Sequence, residues 1–355
     1  MFIKKDLRKI PLIFADAARE AKEKADAPPM TELRLARRPA EFASCLTVLC
    51  QPHYAPTLKH LVSLSLYDCE ISNLDGIGFF ASAMEDGKKI GDGDGDGDGD
   101  GDGDGDVTMA DNNRNSGSIC CPNLAELNLG KNPITSIPSD LGLLKNSLTH
   151  LWLDDCQIQG QLPPCIYELT KLKTLRISNN QITHIQGKEG VDQWTDMEVL
   201  CLDGNALTEL PVEFQSLTKL QSLMLRNNQI ISLPEGVPGP SHSSLTLFHI
   251  SSNQLKALPD SICACPSLTH VYANANKITR VPLEFDKLTS SLVSCNLSNN
   301  EIGSLTNSFL GKFGEPDVHG KCEDFETCSI SLELNDVVER YHDITVSSAS
   351  AMEVC

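Results

Sequence analysis

The stretch LQSLMLRNNQIISLP, residues 220–234, decides the architecture of this chain. Leucine or isoleucine stands at its positions 1, 4, 6, 11 and 14, asparagine stands at position 9, and proline ends it. A unit of this length cannot bury its apolar face alone, so successive copies are expected to stack and share one continuous core. From the second copy onward the starts are 23–25 residues apart. The copies start at Leu61, Leu124, Leu148, Leu172, Met197, Leu220, Leu245, Leu268 and Leu292.

This phrase resembles that of the leucine-rich repeat family over residues 61–74 and 124–305. The resemblance implies an α/β fold, a horseshoe-shaped solenoid whose concave side is a parallel β-sheet. Leucines two residues apart, such as Leu223 and Leu225, are expected to point inward because alternate residues of a strand face opposite sides. One unit, residues 156–163, has the glycine spacing of plant-type repeats. We interpret this spacing as a local change in the convex turn.

Position 9 of the repeat is asparagine in seven copies and cysteine in two. An asparagine amide both donates and accepts hydrogen bonds, so stacked asparagines predict a ladder that pairs buried backbone groups of neighbouring turns. The family resemblance also allows a thiol at this position. The predicted ladder residues are Cys69, Asn132, Cys156, Asn180, Asn205, Asn228, Asn253, Asn276 and Asn300.

Composition divides the chain into three parts. Residues 1–57 are expected to form a helical N-terminal cap with a degenerate first strand at 31–36. Residues 58–313 are expected to form the solenoid, with an insertion at about 75–121 whose Gly-Asp tract lacks apolar side chains and is predicted to be disordered. Residues 314–355 are expected to form a C-terminal cap and a partly disordered acidic tail, in which 329–334 alternates like a final strand.

The formal net charge is −19, and eight of the negative charges belong to the Gly-Asp tract. Because an acidic chain repels phosphates, no nucleic-acid partner is expected. No run approaches the roughly 18–20 apolar residues that span a bilayer, and no secretory signal is evident before the early charged segment. The fourteen cysteines do not form terminal clusters, which favours reduced thiols. We therefore predict a cytoplasmic protein without a membrane span.

Motifs of catalysis and cofactor binding are missing from the sequence. It contains no phosphate-binding glycine loop, no dinucleotide fingerprint, no HExxH and no GxSxG. Cys263 and Cys265 have no second pair at zinc spacing. The Gly-Asp tract lacks both the apolar anchors of calcium-binding repeats and the ligand spacing of EF-hands. We predict a protein that is not an enzyme, with no cofactor and no metal.

Outward positions of adjacent strands predict one continuous interaction surface. They include aromatic, arginine and methionine side chains, which are enriched at protein interfaces. Nine strands about 4.8 Å apart give a concave arc of roughly 38 Å, ample for an interface of about 800 Å² per partner. The predicted contact residues are Trp152, Asp154, Arg176, Cys201, Asp203, Met224, Arg226, His249, Tyr272 and Asn274.

The predicted function is a non-catalytic scaffold or adaptor that binds a protein partner on the concave face. The leucine- and proline-rich units are similar to those of intracellular Ras-associated repeat scaffolds, a resemblance that implies a small GTPase or a phosphatase as partner. The alternative hypothesis is a regulatory or substrate-recognition subunit of an enzyme complex such as a ubiquitin ligase, although no F-box-like segment precedes Leu58. A fragment of an extracellular receptor would require a secretory signal and disulfide caps.

Overall fold

The computed structural model describes residues 30–35, 58–80, 121–305, 321–324, 328–332 and 335. A twelve-stranded sheet runs through this part of the chain, and a separate two-stranded sheet lies beside it. The strands are β1 (Glu32–Arg34), β2 (Ser63–Ser65), β3 (Glu126–Asn128), β4 (His150–Trp152), β5 (Gln159–Gln161), β6 (Thr174–Arg176), β7 (Gln181–His184), β8 (Val199–Cys201), β9 (Ser222–Met224), β10 (Leu247–His249), β11 (His270–Tyr272), β12 (Ser294–Asn296), β13 (Lys321–Asp324) and β14 (Cys328–Ser331).

The large sheet has the order β1-β2-β3-β4-β6-β8-β9-β10-β11-β12-β14-β13. All neighbours are parallel except β13, which pairs antiparallel with β14. In every repeat strand the middle residue is buried, as Leu127, Leu151 and Leu175 show. The predicted parallel solenoid is therefore confirmed, because the repeat spacing returns each unit to the same register beside the previous one.

Short helices form the convex side. They are 3₁₀ helices at Ile77–Phe80, Ser139–Asn146, Val191–Gln193, Val212–Ser216, Asp260–Ala264 and Phe285–Ser290, and an α-helix at Pro164–Tyr167. Prolines in extended conformation precede four of them, and the Pro211 carbonyl accepts the Phe214 N–H at 3.2 Å. Proline suits this place because its missing N–H and its restricted φ do not interrupt a helix that begins after it. No helix in the described ranges is long and apolar enough to cross a bilayer.

The core is one continuous cluster of leucine and isoleucine rows, extended toward the convex side by larger side chains. Trp194 is fully buried there, and its indole N–H donates to the Ile166 carbonyl at 3.3 Å. The Tyr167 ring packs on it with the ring centroids 5.2 Å apart. Leucine rows close the space near the strands, and aromatic rings fill the wider space under the helices.

The structure places all nine predicted ladder residues in buried positions between adjacent turns. Asn228 shows the pattern of the asparagines. Its amide nitrogen donates to the carbonyls of Leu202 at 2.9 Å and Leu225 at 3.1 Å, and its oxygen accepts the Leu207 N–H at 3.1 Å. The ladder thus pairs backbone groups of two units through one side chain, which is why so short a repeat can bury its turn.

Cys156, one of the two cysteines of the ladder, replaces only part of this pattern. The Cys156 thiol lies 3.6 Å from the Leu129 carbonyl and donates to it. The N–H of Ile134, which an asparagine at 156 would accept, bonds instead to the Asn132 carbonyl at 2.8 Å. The thiol of Cys156 therefore replaces the hydrogen-bond donor of an asparagine amide. The Ile134 N–H is bonded within its own turn.

The parallel sheet continues into both segments expected to cap the solenoid, at the strands expected near 31–36 and 329–334. Strand β1 continues the parallel sheet before residue 58, and β14 continues it after 313. Asn335 occupies a further ladder position that the sequence analysis missed, with hydrogen bonds to Leu297, Leu332 and Ile302. The predicted helices of the N-terminal cap, the Gly-Asp tract and the end of the tail lie outside the described residues.

The unit with plant-type glycine spacing forms the small second sheet. Its strand β5 pairs parallel with β7 of the next unit, and Gly160 at its centre has φ +75°. Glycine is suited to this left-handed conformation because it has no Cβ. The expected local change in the convex turn is thus an added pair of strands.

A left-handed residue just before each ladder position turns the chain out of the sheet. The φ angles of Lys131, Asn227 and Ala275 are +59°, +53° and +55°. Such a conformation costs a non-glycine residue on the order of 1–3 kcal/mol. The N–H of Lys131 donates to the Asp154 carbonyl of the next unit at 2.7 Å, and equivalent bonds form at Asn227 and Ala275. Contacts between units therefore impose this turn.

His242 is fully buried beneath the convex turn after Pro234. The Gly239 N–H donates to its Nδ1 at 3.2 Å, so Nε2 carries the proton and donates to the Phe214 carbonyl at 3.0 Å. Burial holds the pKa of His242 below its ordinary value of 6.5. A second proton would sit on Nδ1, facing the Gly239 N–H, so the folded protein keeps this imidazole neutral.

The free energy of unfolding is therefore expected to depend on pH through His242. His242 binds a proton more tightly in the unfolded chain than in the folded protein. The contribution of His242 to the free energy of unfolding is therefore complete above about pH 6.5, and it is lost as the pH falls from 6.5 toward the pKa of His242 in the folded protein. Urea denaturation should show a smaller loss of stability on acidification for His242→Gln than for the wild type. Burial lowers the pKa of His249 as well, but that residue is present in both proteins and cancels in the comparison. Equal pH slopes would contradict the prediction.

Candidate functional site

The sheet register brings the outward central residues of all parallel strands into one row, called the central row. Neighbouring members are direct partners across the strands, as Trp152 and Arg176 are. Ten steps of about 4.8 Å make this row roughly 48 Å long. Its members are Arg34, Ser65, Asn128, Trp152, Arg176, Cys201, Met224, His249, Tyr272, Asn296 and Ser331.

Most predicted contact residues of the central row are accessible. Arg176 is exposed, while Trp152, Met224, His249 and Tyr272 are half-buried. Side chains in this state have a fixed position and still offer surface to a partner. The structure thus assembles these five residues in one continuous stretch of the concave face.

Cys201 departs from the predicted exposure. It lies in the central row, but only 3% of its surface is accessible. The Ser178 hydroxyl is 2.9 Å from its sulfur and the Met224 sulfur is 3.9 Å away, so longer neighbours cover this short side chain. Burial raises the pKa of its thiol, which disfavours the reactive thiolate. Cys201 therefore supports the surface from below and presents little of itself.

A second row beside the first carries the predicted charged residues. Asp154 accepts the Arg176 Nε–H at 2.9 Å and the Ser178 N–H at 2.8 Å. Asp203 accepts the Arg226 N–H at 2.6 Å, and burial raises the pKa of this carboxyl against that hydrogen bond. The two aspartates are thus held by the next unit, which orients the Arg176 side chain along the sheet.

Asn274 and the adjoining serine form the polar end of the second row. The Ser251 hydroxyl donates to Asn274 Oδ1 at 2.5 Å. Asn274 is half-buried, and Arg226 is exposed. The second row therefore borders the aromatic stretch with groups that hydrogen-bond, the arrangement of a polar rim.

Two histidines outside the predicted set belong to the same surface. The His150 ring stacks on Trp152 at a centroid distance of 5.8 Å and an interplanar angle of 18°. His270 lies 6.2 Å from Tyr272, and His249 approaches the same ring edge-on at 5.3 Å. His150 and His270 each stand two residues before an aromatic residue, the spacing that puts side chains on one face of a strand. That spacing is the signal that identifies them.

No metal-binding cluster accompanies this surface in the described residues. No three His, Cys, Asp or Glu side chains there lie close enough to hold a metal ion. The surface offers aromatic faces, a thioether, guanidinium groups and amides on a rigid sheet. Such groups bind by contact and hydrogen bonding, which is the chemistry of recognition.

Comparison with known families identifies the class of protein. A model described as "Leucine rich repeat" matches residues 170–230, and a second, described as "Leucine Rich Repeat", matches residues 147–169. Together with the solenoid and the asparagine ladder above, these matches support a leucine-rich repeat protein. No curated protein matches it.

Solved structures share the fold. The leucine-rich repeat ectodomain of the plant membrane receptor kinase GASSHO1/SCHENGEN3 from Arabidopsis thaliana, solved with CASPARIAN STRIP INTEGRITY FACTOR 2, is 29% identical, with a TM-score of 0.50 over 58% of this chain and 24% of that one. The plant peptide hormone receptor RGFR1, in complex with RGF2, is 22% identical, with a TM-score of 0.58 over 86% of this chain and 40% of that one. The present chain thus spans less than half the length of either.

Proposed function

We propose that this protein is a non-catalytic scaffold or adaptor that binds a partner protein along its concave sheet. One observation carries the proposal, namely the uninterrupted run from Trp152 to Tyr272 in the central row. Aromatic residues and arginine dominate binding energy at protein interfaces, and a rigid sheet holds them without a large loss of side-chain entropy on binding. The two receptors compared above were each solved with a bound factor, which is consistent with binding by this fold.

The size of the surface supports a protein partner. The aromatic stretch covers five steps between strands, about 24 Å, and the second row widens it. A standard interface needs about 800 Å² on each partner, which a curved face of this length can provide. Trp152 and Tyr272 stand at the two ends of the stretch, so one partner has to span it to contact both.

The proposal is tested by the combined variant Trp152→Ala, Arg176→Ala and Tyr272→Ala. We expect partner capture to fall at least tenfold, because truncation of an interface hot spot costs about 2 kcal/mol or more. A matched control replaces three exposed convex residues, Glu209, Glu235 and Lys256, by alanine. Affinity purification with mass spectrometry measures both. Unchanged capture by the concave variant would remove this surface from consideration.

We further propose a small GTPase or a phosphatase as the partner, on the similarity of the leucine-proline units to Ras-associated scaffolds. The same purification decides between this class and the alternative, a regulatory or substrate-recognition subunit of a ubiquitin ligase. The alternative would be favoured if ubiquitin-ligase subunits, and no GTPase or phosphatase, co-purify with the wild-type protein and are lost from the concave variant.

A cytoplasmic location is proposed because the fourteen cysteines do not form the terminal clusters of disulfide-capped repeats. Cys156, Cys165, Cys201 and Cys265 are buried within the solenoid. Burial raises the pKa of Cys156 and Cys165 to about 11 and that of Cys265 to about 12, so these thiols are poor nucleophiles in the folded protein. To test this, cells that express the protein naturally are lysed in denaturant with an alkylating reagent and without reductant. All fourteen cysteines should then be alkylated. A smaller number that rises with reductant would point to an oxidising compartment.

A further inference from the structure

A recess opens at the N-terminal end of the concave face. It shares only Trp152 with the stretch from Trp152 to Tyr272. Its volume is about 480 Å³, within the roughly 300–1,000 Å³ typical of ligand pockets. The small side chains of Ser63 and Ser65 on β2 leave the depression, because larger groups stand on the strands to either side. The residues that shape it are Ser63, Ser65, Tyr67, Glu126, Asn128 and Trp152.

Two aromatic side chains line this recess. Trp152 is held by its stacking on His150. The Tyr67 ring leans over Gly130, where an added Cβ would lie 3.2 Å from the ring carbon Cδ2. A side chain at position 130 would therefore crowd the ring, so glycine permits its present position. The recess thus offers π faces to whatever enters it.

The charges around the recess leave one carboxylate in excess. Arg34, which also lines it, forms an ion pair with Glu32. Asp154 is engaged by Arg176 at 2.9 Å. Glu126 is half-buried and forms no ion pair with any residue in the described ranges. An entering group of positive charge would therefore neutralise Glu126, in a chain whose formal net charge is −19.

We propose that this recess receives an arginine side chain of the partner, an inference that rests on the proposed binding function of the concave face. A guanidinium is planar, so it stacks on an indole while its edge donates two parallel hydrogen bonds to a carboxylate. Trp152 and Glu126 provide these two groups within one cavity. A lysine ammonium has the charge but lacks the planar fork, so arginine fits the geometry better.

The probe is the peptide acetyl-Gly-Arg-Gly-amide, compared with peptides that carry citrulline or lysine in place of arginine. The chain has two tryptophans, and Trp194 is fully buried, so its indole N–H serves as an internal reference in ¹H–¹⁵N NMR spectra. We expect the arginine peptide to shift the Trp152 indole signal and leave the Trp194 signal in place. Citrulline has the shape of arginine without its charge and should bind about tenfold more weakly, because a charged hydrogen bond contributes on that scale. Equal binding of the citrulline peptide, or tighter binding of the lysine peptide, would overturn the proposal.

The variant Glu126→Gln keeps the shape of the side chain and removes its charge. It should weaken the arginine peptide about tenfold, while Glu209→Gln, on the exposed convex side, should not change it. Thermal denaturation of both variants checks that they are folded. Partner capture separates this inference from the proposed function. If the Trp152, Arg176 and Tyr272 variant loses the partner but Glu126→Gln binds both the peptide and the partner normally, the arginine site is refuted. The concave interface then remains supported.

Discussion

Asn228→Ala is expected to lower the free energy of unfolding by about 3–5 kcal/mol. The Leu207 N–H left without a partner costs about 1–3 kcal/mol, and each of the two other hydrogen bonds lost contributes about 1 kcal/mol, since the Leu202 and Leu225 carbonyls keep the amides of Asn205 and Asn253. The asparagine is only 7% exposed. Its removal takes the hydrogen bond from the Leu207 N–H and a donor from the carbonyls of Leu202 and Leu225. A methyl group supplies neither donor nor acceptor, and the buried turn leaves little room for water to replace them.

Urea denaturation measures this loss, and Gln229→Ala provides the matched control. Gln229 is the next residue in the chain and is exposed, so its truncation should change stability by less than about 0.5 kcal/mol. A loss below about 1 kcal/mol for Asn228→Ala would show that the ladder contributes far less than its geometry indicates.

Trp194→Ala is the second substitution with a large expected effect, a loss of about 3–5 kcal/mol. The indole is completely buried beneath the convex turns, where it packs on Tyr167 and donates to the Ile166 carbonyl. Alanine would leave a cavity that the surrounding leucines cannot close and a carbonyl without this donor.

The other tryptophan serves as its control. Trp152 is half-buried on the concave sheet, so Trp152→Ala should cost about 1 kcal/mol or less in stability while reducing partner capture. Urea denaturation of both variants, run beside the capture assay, therefore separates a tryptophan of the core from one of the interface. Similar losses of stability in the two variants would contradict this distinction.

The repeat phrase was sufficient to predict the register of the sheet. Because inward leucines alternate with outward residues, the residue between Leu151 and Leu153 had to face the concave side, and the equal spacing of units had to set it beside Arg176. The same phrase identified the ladder asparagines. It did not identify Asn335, because the unit that ends there starts with Thr327 in place of leucine and follows an irregular stretch.

Packing between units decided what the sequence pattern could not. Outward position predicted exposure for Cys201, but Ser178 and Met224 on the adjoining turns cover it. The recess between Tyr67 and Trp152 depends on residues from different units, since serines on β2 lie between larger groups on β1 and β3. Its accessible volume is a property of several side chains together, which no single repeat contains.

The sequence by itself determined that equal units stack in parallel, which residues enter the core and which line one concave row, because these follow from local periodicity repeated at constant length. Tertiary structure alone decided which members of that row remain accessible, how Asp154 orients Arg176, and where a cavity opens beside Glu126. Those outcomes depend on the size and hydrogen bonding of neighbours about 20–60 residues away in the chain, and periodicity carries no information about them.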